Sequence, residues 1–272
     1  GSRVVILAPY FAEYDFYIEA HGGQVELVQT DAEFQIDVGA VEAVMGPDVE
    51  AVIINSPNNP TGVVYPQSAL AELSGMLAAK EEEYGQEIYL ISDEPYRRIT
   101  YGDVEVPWIF HHYRNSAVVT SHSKDLNLAG ERIGYVALNP EITPVNELFR
   151  GMVFTQRALG MVSAPATMQR AVADLQEVTV DVSDYAGKRD LLCTELARMG
   201  YEFLKPDGAF YLFPKAPGGD DVAFVNRLLE ERILVVPGVG FGRPGHFRIS
   251  FAVKDEKVQG ALEGFERAIR DM

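Results

Sequence analysis

The sequence predicts an α/β fold in which a mostly parallel, doubly wound sheet is followed by a smaller α+β domain. The first half of the chain alternates short apolar runs with longer amphipathic segments, which is typical of strands that alternate with helices. Residues 49–54 and 88–91 are predominantly apolar, as expected of strands that are buried on both faces of a parallel sheet. After residue 161 the pattern changes to helices grouped with short strands, which indicates a second unit.

The first part of the chain is predicted to contain six strands and two clear helices. The strands are expected at residues 4–8, 24–28, 49–54, 88–91, 117–121 and 133–138, and the helices at residues 14–21 and 67–84. In the longer helix, Leu70, Leu73 and Leu77 share one face, so this helix is expected to pack against the sheet.

The second part of the chain has the composition of a small domain of about 90 residues. Helices are expected at residues 164–176, 185–199, 222–231 and 255–270, and strands at residues 209–213, 233–236 and 247–251. Gly200 marks the end of one of these helices. We place the boundary near residue 180, so that the two predicted domains are residues 1–180 and 181–272.

Composition excludes several classes of function. The 272 residues contain 23 Lys and Arg against 40 Asp and Glu, a formal net charge of −17, so nucleic acids and anionic membranes are poor candidate partners. The single cysteine, Cys193, excludes an internal disulfide and favours a reducing compartment such as the cytoplasm. No apolar run approaches the roughly 18 residues of a membrane span. The five histidines lack metal-ligand spacing, so no metal site is expected.

Residues that carry chemistry follow four of the predicted strands. They are an aromatic ring, an amide, a carboxylate with a phenol, and a lysine among hydroxyls: Phe11, Asn59, Asp93 with Tyr96, and Lys124. Because ligands bind at the carboxyl ends of the strands in open α/β sheets, we expect these side chains to meet at one site.

Three ordered motifs resemble those of a known family. They are Asn-Pro-Thr-Gly at residues 59–62, Asp-x-x-Tyr at residues 93–96, and Ser-x-Ser-Lys followed by Arg-x-Gly within residues 121–134. In this order they resemble the class I/II aminotransferases of fold type I, the aspartate aminotransferase group. The resemblance implies a pyridoxal 5′-phosphate cofactor, amino acid and 2-oxo acid substrates, and a homodimer. Residues 1–180 would then form an incomplete cofactor-binding large domain.

The resemblance implies a role for each residue around the cofactor ring. Lys124 would form a Schiff base with the cofactor aldehyde and then move protons as general base and acid. Asp93 would keep the pyridine nitrogen protonated, and Asn59 and Tyr96 would hydrogen-bond the phenolate oxygen. Each residue also has a structural alternative. Lys124 would then be a solvated surface lysine, Asp93 a helix cap, Asn59 part of a turn, and Tyr96 a packing residue.

The resemblance also implies a phosphate site and a stacking residue. Ser121, Ser123 and Arg132 would bind the cofactor phosphate through two hydroxyls and a guanidinium. Phe11 would stack on the pyridine face, with Tyr10 as the fallback.

Arg248 lies in a predicted apolar strand, where an unpaired charge is costly. In the family this arginine holds the substrate α-carboxylate, and Asn59 is expected to contact the substrate beside it. The alternative for Arg248 is an internal salt bridge. The glycine-rich residues 238–242 do not precede a predicted helix, so we interpret them as a loop near Arg248 instead of a nucleotide-binding loop.

Residues 3–7 resemble the interior of a longer family member, so we expect an N-terminally truncated chain. The region before them normally supplies a Gly/Ala-rich turn for the phosphate, much of the dimer contact, and a tyrosine that reaches the partner's phosphate. Two alternatives to an active aminotransferase therefore stay open. One is a lyase of the same fold that catalyses β-elimination, and the other is a catalytically incomplete fragment or binding module.

Overall fold

A six-stranded sheet forms the first part of the protein in the computed structural model, which describes residues 1–270. Its strands are β1 (Arg3–Ala8), β2 (Gln24–Gln29), β3 (Val49–Asn55), β4 (Tyr89–Asp93), β5 (Ser116–Ser121) and β6 (Gly134–Leu138). The spatial order is β2-β1-β3-β4-β5-β6, and only β6 runs antiparallel to its neighbour. The predicted mostly parallel α/β fold is confirmed.

Nine α-helices are found within residues 1–270. They are α1 (Tyr14–Glu19), α2 (Val38–Val44), α3 (Gln67–Tyr84), α4 (His122–Asp125), α5 (Val145–Ala158), α6 (Ala166–Ala173), α7 (Val182–Met199), α8 (Asp221–Glu230) and α9 (Asp255–Arg270). Three short 3₁₀ helices lie at Ile109–His111, Ala129–Glu131 and Gly238–Phe241. The bounds of α3 match the sequence prediction, whereas α2, α4 and α5 were not predicted. None of these helices is both long and apolar enough to cross a bilayer.

The main core lies between the large sheet and α3. Leu70, Leu73 and Leu77 of α3 are buried against Val52 and Leu90 of the two central strands. The other face of these strands carries Ile53 and Ile91, which are only partly buried. The core thus fixes the central strands, and the position of their carboxyl ends follows from it.

A second, three-stranded sheet lies in the last third of the chain. It consists of β7 (Tyr211–Leu212), β8 (Val236–Pro237) and β9 (Phe247–Ser250) in the antiparallel order β7-β9-β8. The first two strands are shorter than predicted. Ala209 has a φ of 55°, a left-handed conformation that a regular strand does not contain, so β7 begins only after it. Arg232 has a similar φ of 60°, and pairing with β9 begins only at Val236.

A second core packs on the small sheet and also contacts the first part of the chain. Leu192 of α7, Phe224 of α8 and Phe265 of α9 are buried in it. Tyr96 and Ile99, which follow β4, belong to the same cluster. The loop after β4 of the large sheet therefore packs into the core of the small sheet. The domain boundary near residue 180 stays a prediction.

Candidate active site

A cavity of about 710 Å³ opens at the carboxyl ends of β1, β3, β4 and β5. All nine candidate residues line it: Phe11, Asn59, Asp93, Tyr96, Ser121, Ser123, Lys124, Arg132 and Arg248. Eight of them lie on or just after the strands of the large sheet, and Arg248 lies on β9 of the small sheet. The cavity is thus bounded by both sheets, with convergent polar groups on apolar walls, as is typical of small-molecule sites.

The turn after β3 positions Asn59 through its own hydrogen bonds. Oδ1 of Asn55 accepts the backbone N–H of Asn59 at 2.7 Å, while Nδ2 of Asn55 donates to the carbonyl of Asp93 at 2.8 Å. Oδ1 of Asn58 accepts the Thr61 hydroxyl at 2.8 Å. Gly62 has a φ of 74°, and a Cβ there would lie 2.4 Å from Cβ of Pro206, so the last residue of the motif must be glycine.

Asp93 ends β4 with its carboxylate buried in the cavity wall. The hydroxyl of Tyr14, on α1, donates to Oδ2 of Asp93 at 2.5 Å. Burial raises the pKa of Asp93 to about 6, although the Tyr14 hydrogen bond acts in the opposite direction and the neighbouring Glu94 adds to the increase. This carboxylate would be stabilised by a cationic partner, since the described structure gives it only a phenol.

Glu94, the next residue, points to the other face of the sheet. Its carboxylate accepts hydrogen bonds from Ser92 at 2.8 Å and from Arg97 at 2.7 Å. It lines a different cavity, together with His122 and Asp125. Asp93 and Glu94 thus point in opposite directions, as successive residues of a strand do.

Lys124 lies on the one-turn helix α4, directly after β5. His122 and Asp125 of this helix are hydrogen-bonded to each other at 3.2 Å and line the opposite cavity, so Lys124 faces the candidate site. Within residues 1–270, its Nζ makes neither a hydrogen bond nor an ion pair and lies 5.7 Å from the ring centre of Phe210. Burial, then Arg248 and Arg132, lower the pKa of Lys124. A half-buried amine with a lowered pKa is suited to react with a carbonyl carbon.

Two hydroxyls and a guanidinium lie at the same end of the cavity as Lys124. Ser121 ends β5, Ser123 precedes the lysine, and Arg132 follows a 3₁₀ turn. Arg132 has a φ of 52° and donates from Nη1 to the carbonyl of Ala129 at 2.7 Å. A Cβ on Gly134 would lie 2.4 Å from the carbonyl oxygen of Thr120, so the glycine of this motif permits the close pairing of β6 with β5. These donors are suited to an anion.

Arg248 is the cation that the small sheet contributes to the cavity. Its Nη1 donates to Oδ1 of Asn59 at 2.8 Å, and the guanidinium carbon lies 4.7 Å from the ring centre of Tyr211 and 4.8 Å from that of Phe241. Burial lowers the pKa of Arg248, and its Nε is buried without a hydrogen-bond partner among residues 1–270. No carboxylate in the described part of the chain neutralises it, so the internal salt bridge considered as an alternative is absent there.

The aromatic residues after β1 have different surroundings. Phe11 lines the cavity and meets the ring of Tyr14 edge to face at 5.6 Å. Tyr10 is buried, and its hydroxyl donates to Asp15. Only Phe11 of the two candidates presents a ring to the cavity.

Sequence reasoning missed three residues of this site: Tyr14, Asn55 and Tyr211. The Tyr14 and Tyr211 hydroxyls bond directly to Asp93 and Tyr96, and Tyr211 also lies on Arg248. Asn55 could have been predicted, because it is the polar residue that ends an apolar strand. The two tyrosines carried no such signal, because each falls at an apolar position of a pattern that predicts packing.

No group of three or more His, Cys, Asp or Glu side chains within residues 1–270 is arranged to hold a metal ion. Cys193 is buried in α7, and burial raises the pKa of its thiol to about 11.

Comparison with known proteins identifies the family. The family described as "Aminotransferase class I and II" matches residues 1–265. The aspartate aminotransferase of Thermotoga maritima is 33% identical over 272 residues, covering 98% of this chain and 69% of that protein. The aspartate/prephenate aminotransferase of Thermus thermophilus is 32% identical, covering 99% and 70%.

A similar solved structure is also that of an aminotransferase. An aminotransferase from Eubacterium rectale superposes with a TM-score of 0.96 at 41% identity, covering 99% of this chain and 68% of that one. The chain thus spans about 70% of the length of these relatives. The match extends over both sheets and over every motif of the site. The chain belongs to the class I and II aminotransferases.

Proposed function

We propose that this protein uses pyridoxal 5′-phosphate at the cavity around Lys124 to move an amino group between an amino acid and a 2-oxo acid. The observation that carries the proposal is the placement of an unpaired lysine, a buried carboxylate and a second unpaired cation in one cavity. Family membership supports the reaction class. The proposed cofactor and the role of each residue rest on this donor set.

The donor set fits each functional group of this cofactor. Asp93 has a raised pKa and would pair with a protonated pyridine nitrogen. Ser121, Ser123 and Arg132 would hold the phosphate, and Phe11 would cover one ring face. The chain as a whole is strongly acidic, yet three cations, Lys124, Arg132 and Arg248, line this cavity. Anionic ligands would account for their presence there.

The bound cofactor supplies an electron sink for the bond that breaks at the substrate Cα. Lys124 would hold the aldehyde carbon through its amine and, once released, would accept and return a proton at Nζ. Its lowered pKa makes the neutral amine more abundant near neutral pH, which this proton transfer requires. Asn59 and Tyr96 would donate to the phenolate oxygen and orient the ring.

Arg248 would bind the α-carboxylate of the substrate. Among residues 1–270 it makes one hydrogen bond, to Asn59, and its Nε lacks a partner there. Two aromatic rings lie 4.7 and 4.8 Å from the guanidinium carbon and restrict the fork that would bind a carboxylate. Asn59 would therefore contact both the cofactor and the substrate-binding arginine.

We also propose a homodimer that forms through α5. None of the side chains of this helix is buried, and Phe149 and Phe154 are 62% and 71% exposed. Exposed apolar patches of this kind mark interaction surfaces. Over residues 145–158 the helix has one Glu and two Arg, so a second copy of this acidic chain could approach it without strong repulsion.

Product analysis tests the proposed reaction. The protein, loaded with pyridoxal 5′-phosphate, is given one amino acid and one 2-oxo acid, and the new amino acid is measured by mass spectrometry. We expect formation of the new amino acid that depends on the 2-oxo acid and is lost in Lys124→Ala. Ammonia released without any 2-oxo acid would indicate a lyase instead. Amino transfer that survives in Lys124→Ala would contradict the proposal.

A further inference from the structure

Tyr211 contacts both the arginine and the tyrosine of the candidate site. It lies on β7, which pairs with β9, the strand that carries Arg248. Its ring centre is 4.7 Å from the guanidinium carbon of Arg248, and its hydroxyl is 2.8 Å from the hydroxyl of Tyr96. The rings of Tyr211 and Tyr96 also meet edge to face at 5.6 Å and 82°. One side chain thus connects the substrate side of the cavity with the cofactor side.

The hydroxyls of Tyr96 and Tyr211 carry two protons, and the hydrogen bond between them uses only one. Only one of the two O–H groups can donate in the bond between them, so the other is available to a second acceptor. Both side chains are buried, which raises the pKa of each phenol and keeps both protonated at neutral pH. If Tyr211 is the donor, the O–H of Tyr96 is free to be donated into the cavity.

The ring of Tyr211 restricts Arg248 at the same time. The guanidinium carbon lies 4.7 Å from the centre of this ring and 4.8 Å from that of Phe241, and Nη1 is hydrogen-bonded to Asn59. A cation in contact with two aromatic rings is restricted in its movement. Tyr211 thus contacts Arg248 through its ring and Tyr96 through its hydroxyl, so a substitution of Tyr211 acts on both.

We propose that Tyr211 is a positioning residue that couples the two halves of the site. Its ring holds the guanidinium of Arg248 in the plane that a carboxylate requires. Its hydroxyl bonds to the hydroxyl of Tyr96, with either oxygen as donor, and so fixes the position of that hydroxyl beside an acceptor in the cavity. This inference rests on the proposed function, because the acceptor is the phenolate oxygen of the cofactor.

Two substitutions of Tyr211 distinguish the role of its ring from the role of its hydroxyl. Tyr211→Phe removes the hydroxyl and keeps the ring, whereas Tyr211→Leu removes both. Tyr201→Phe is the matched control, because Tyr201 is also buried in the second core and donates its hydroxyl to a backbone carbonyl, of Phe265, at 2.9 Å. Tyr201 does not line the cavity. The control therefore reports the effect of losing a buried tyrosine hydroxyl alone.

The first measurement is the affinity of the cofactor-free protein for unreactive carboxylates, 3-phenylpropionate and succinate, by titration calorimetry. Tyr211→Phe should bind within about twofold of the wild type, and Tyr211→Leu should bind about tenfold more weakly, because the loss of one stacked ring frees the guanidinium. Equal binding by Tyr211→Leu and the wild type would overturn the role of the ring. This arm needs no cofactor, so it holds independently of the proposed reaction.

The second measurement is a pH titration of the absorbance of the bound cofactor. In Tyr211→Phe the midpoint of this titration should move to higher pH by about half a unit or more. Without the Tyr211 hydroxyl, the hydrogen bond from Tyr96 to the phenolate oxygen is weaker, so the bound cofactor keeps its proton to a higher pH. Tyr201→Phe should titrate like the wild type. A wild-type midpoint in Tyr211→Phe would overturn the role of the hydroxyl, whereas a wild type that binds no cofactor would overturn the proposed function itself.

Discussion

Nη1 of Arg248 donates a hydrogen bond of 2.8 Å to Oδ1 of Asn59, a residue 189 positions earlier in the chain. The bond joins β9 of the small sheet to the turn after β3 of the large one. It uses one N–H of the guanidinium and leaves the others for a ligand. The carboxylate site thus depends on the correct relative position of the two sheets.

Replacing Arg248 should abolish carboxylate binding without unfolding the protein. In Arg248→Gln the affinity for 3-phenylpropionate or succinate should fall by at least about 30-fold, because a partly buried charge pair is lost. Asn59→Ala should lose less, since the guanidinium remains. Titration calorimetry measures both. The exposed Arg114 supplies the control Arg114→Gln, which should bind as the wild type does. Equal losses in Arg248→Gln and Arg114→Gln would contradict the assignment.

The raised pKa of Asp93 predicts a pH-dependent stability. The carboxyl titrates near 3.8 when unfolded and at about 6 when folded, so the penalty for burying its charge appears as the pH rises through this interval. Asp93→Asn should therefore stabilise the cofactor-free protein by on the order of 2–3 kcal/mol at pH 8 and little at pH 4.

Urea unfolding of both proteins across this pH range measures the difference. Asp103→Asn, on an exposed turn, serves as the control and should change the free energy of unfolding equally at every pH. A constant difference between Asp93→Asn and the wild type, or a variant that is less stable at pH 8, would show that Asp93 is not buried as described.

The turn that contains Gly62 should not tolerate a side chain. Gly62→Ala places a Cβ 2.4 Å from Pro206 and 2.9 Å from the carbonyl of Gly208, at a φ of 74°. We expect a loss of about 2–4 kcal/mol in the free energy of unfolding. Gly75→Ala is the matched control, because Gly75 lies in α3 with no atom within 4 Å of the added Cβ, and it should be neutral or stabilising. Equal unfolding midpoints for the two variants would refute the close packing.

The proposed dimer predicts a specific effect of charge on α5. Phe154→Glu should convert the dimer to monomers, because a buried unpaired carboxylate opposes association. Leu234→Glu, at a residue that is 84% exposed elsewhere on the surface, should leave the assembly unchanged. Sedimentation velocity at matched concentrations distinguishes the two. A wild type that sediments as a monomer would reject the proposed interface at once.

Much of the fold follows from local pattern, and the exceptions have physical causes. The core strands and α3 were predictable because their apolar residues repeat with the period of the element. The helix α2 spans seven residues, too few for a periodic signal, although Asp37 caps it through the N–H of Ala40. The helix α5 was missed although its sequence carries the signal, because its apolar residues recur at helical spacing: Val145, Leu148, Phe149, Met152 and Val153. The left-handed φ of Ala209 depends on tertiary contacts, and no local rule predicts it.

Site residues could be predicted where a charged residue occurs beside an apolar strand. A lysine or arginine at the end of such a strand is informative, and so is an acidic residue that follows a buried strand. Tyr14 and Tyr211 are not rare in this sense, because tyrosines commonly fill apolar positions. Their roles depend on single hydroxyl contacts across 79 and 115 positions, which only the folded structure reveals.

The most direct test of the account is covalent capture of the cofactor at Lys124. The protein is incubated with pyridoxal 5′-phosphate near neutral pH, reduced with borohydride and mapped by peptide mass spectrometry. The lowered pKa and half-buried position of Lys124 predict a cofactor mass on its peptide, little on exposed Lys215, and none on residue 124 in Lys124→Arg. An unlabelled Lys124, with the label spread over surface lysines to the same extent in both proteins, would contradict the central claim.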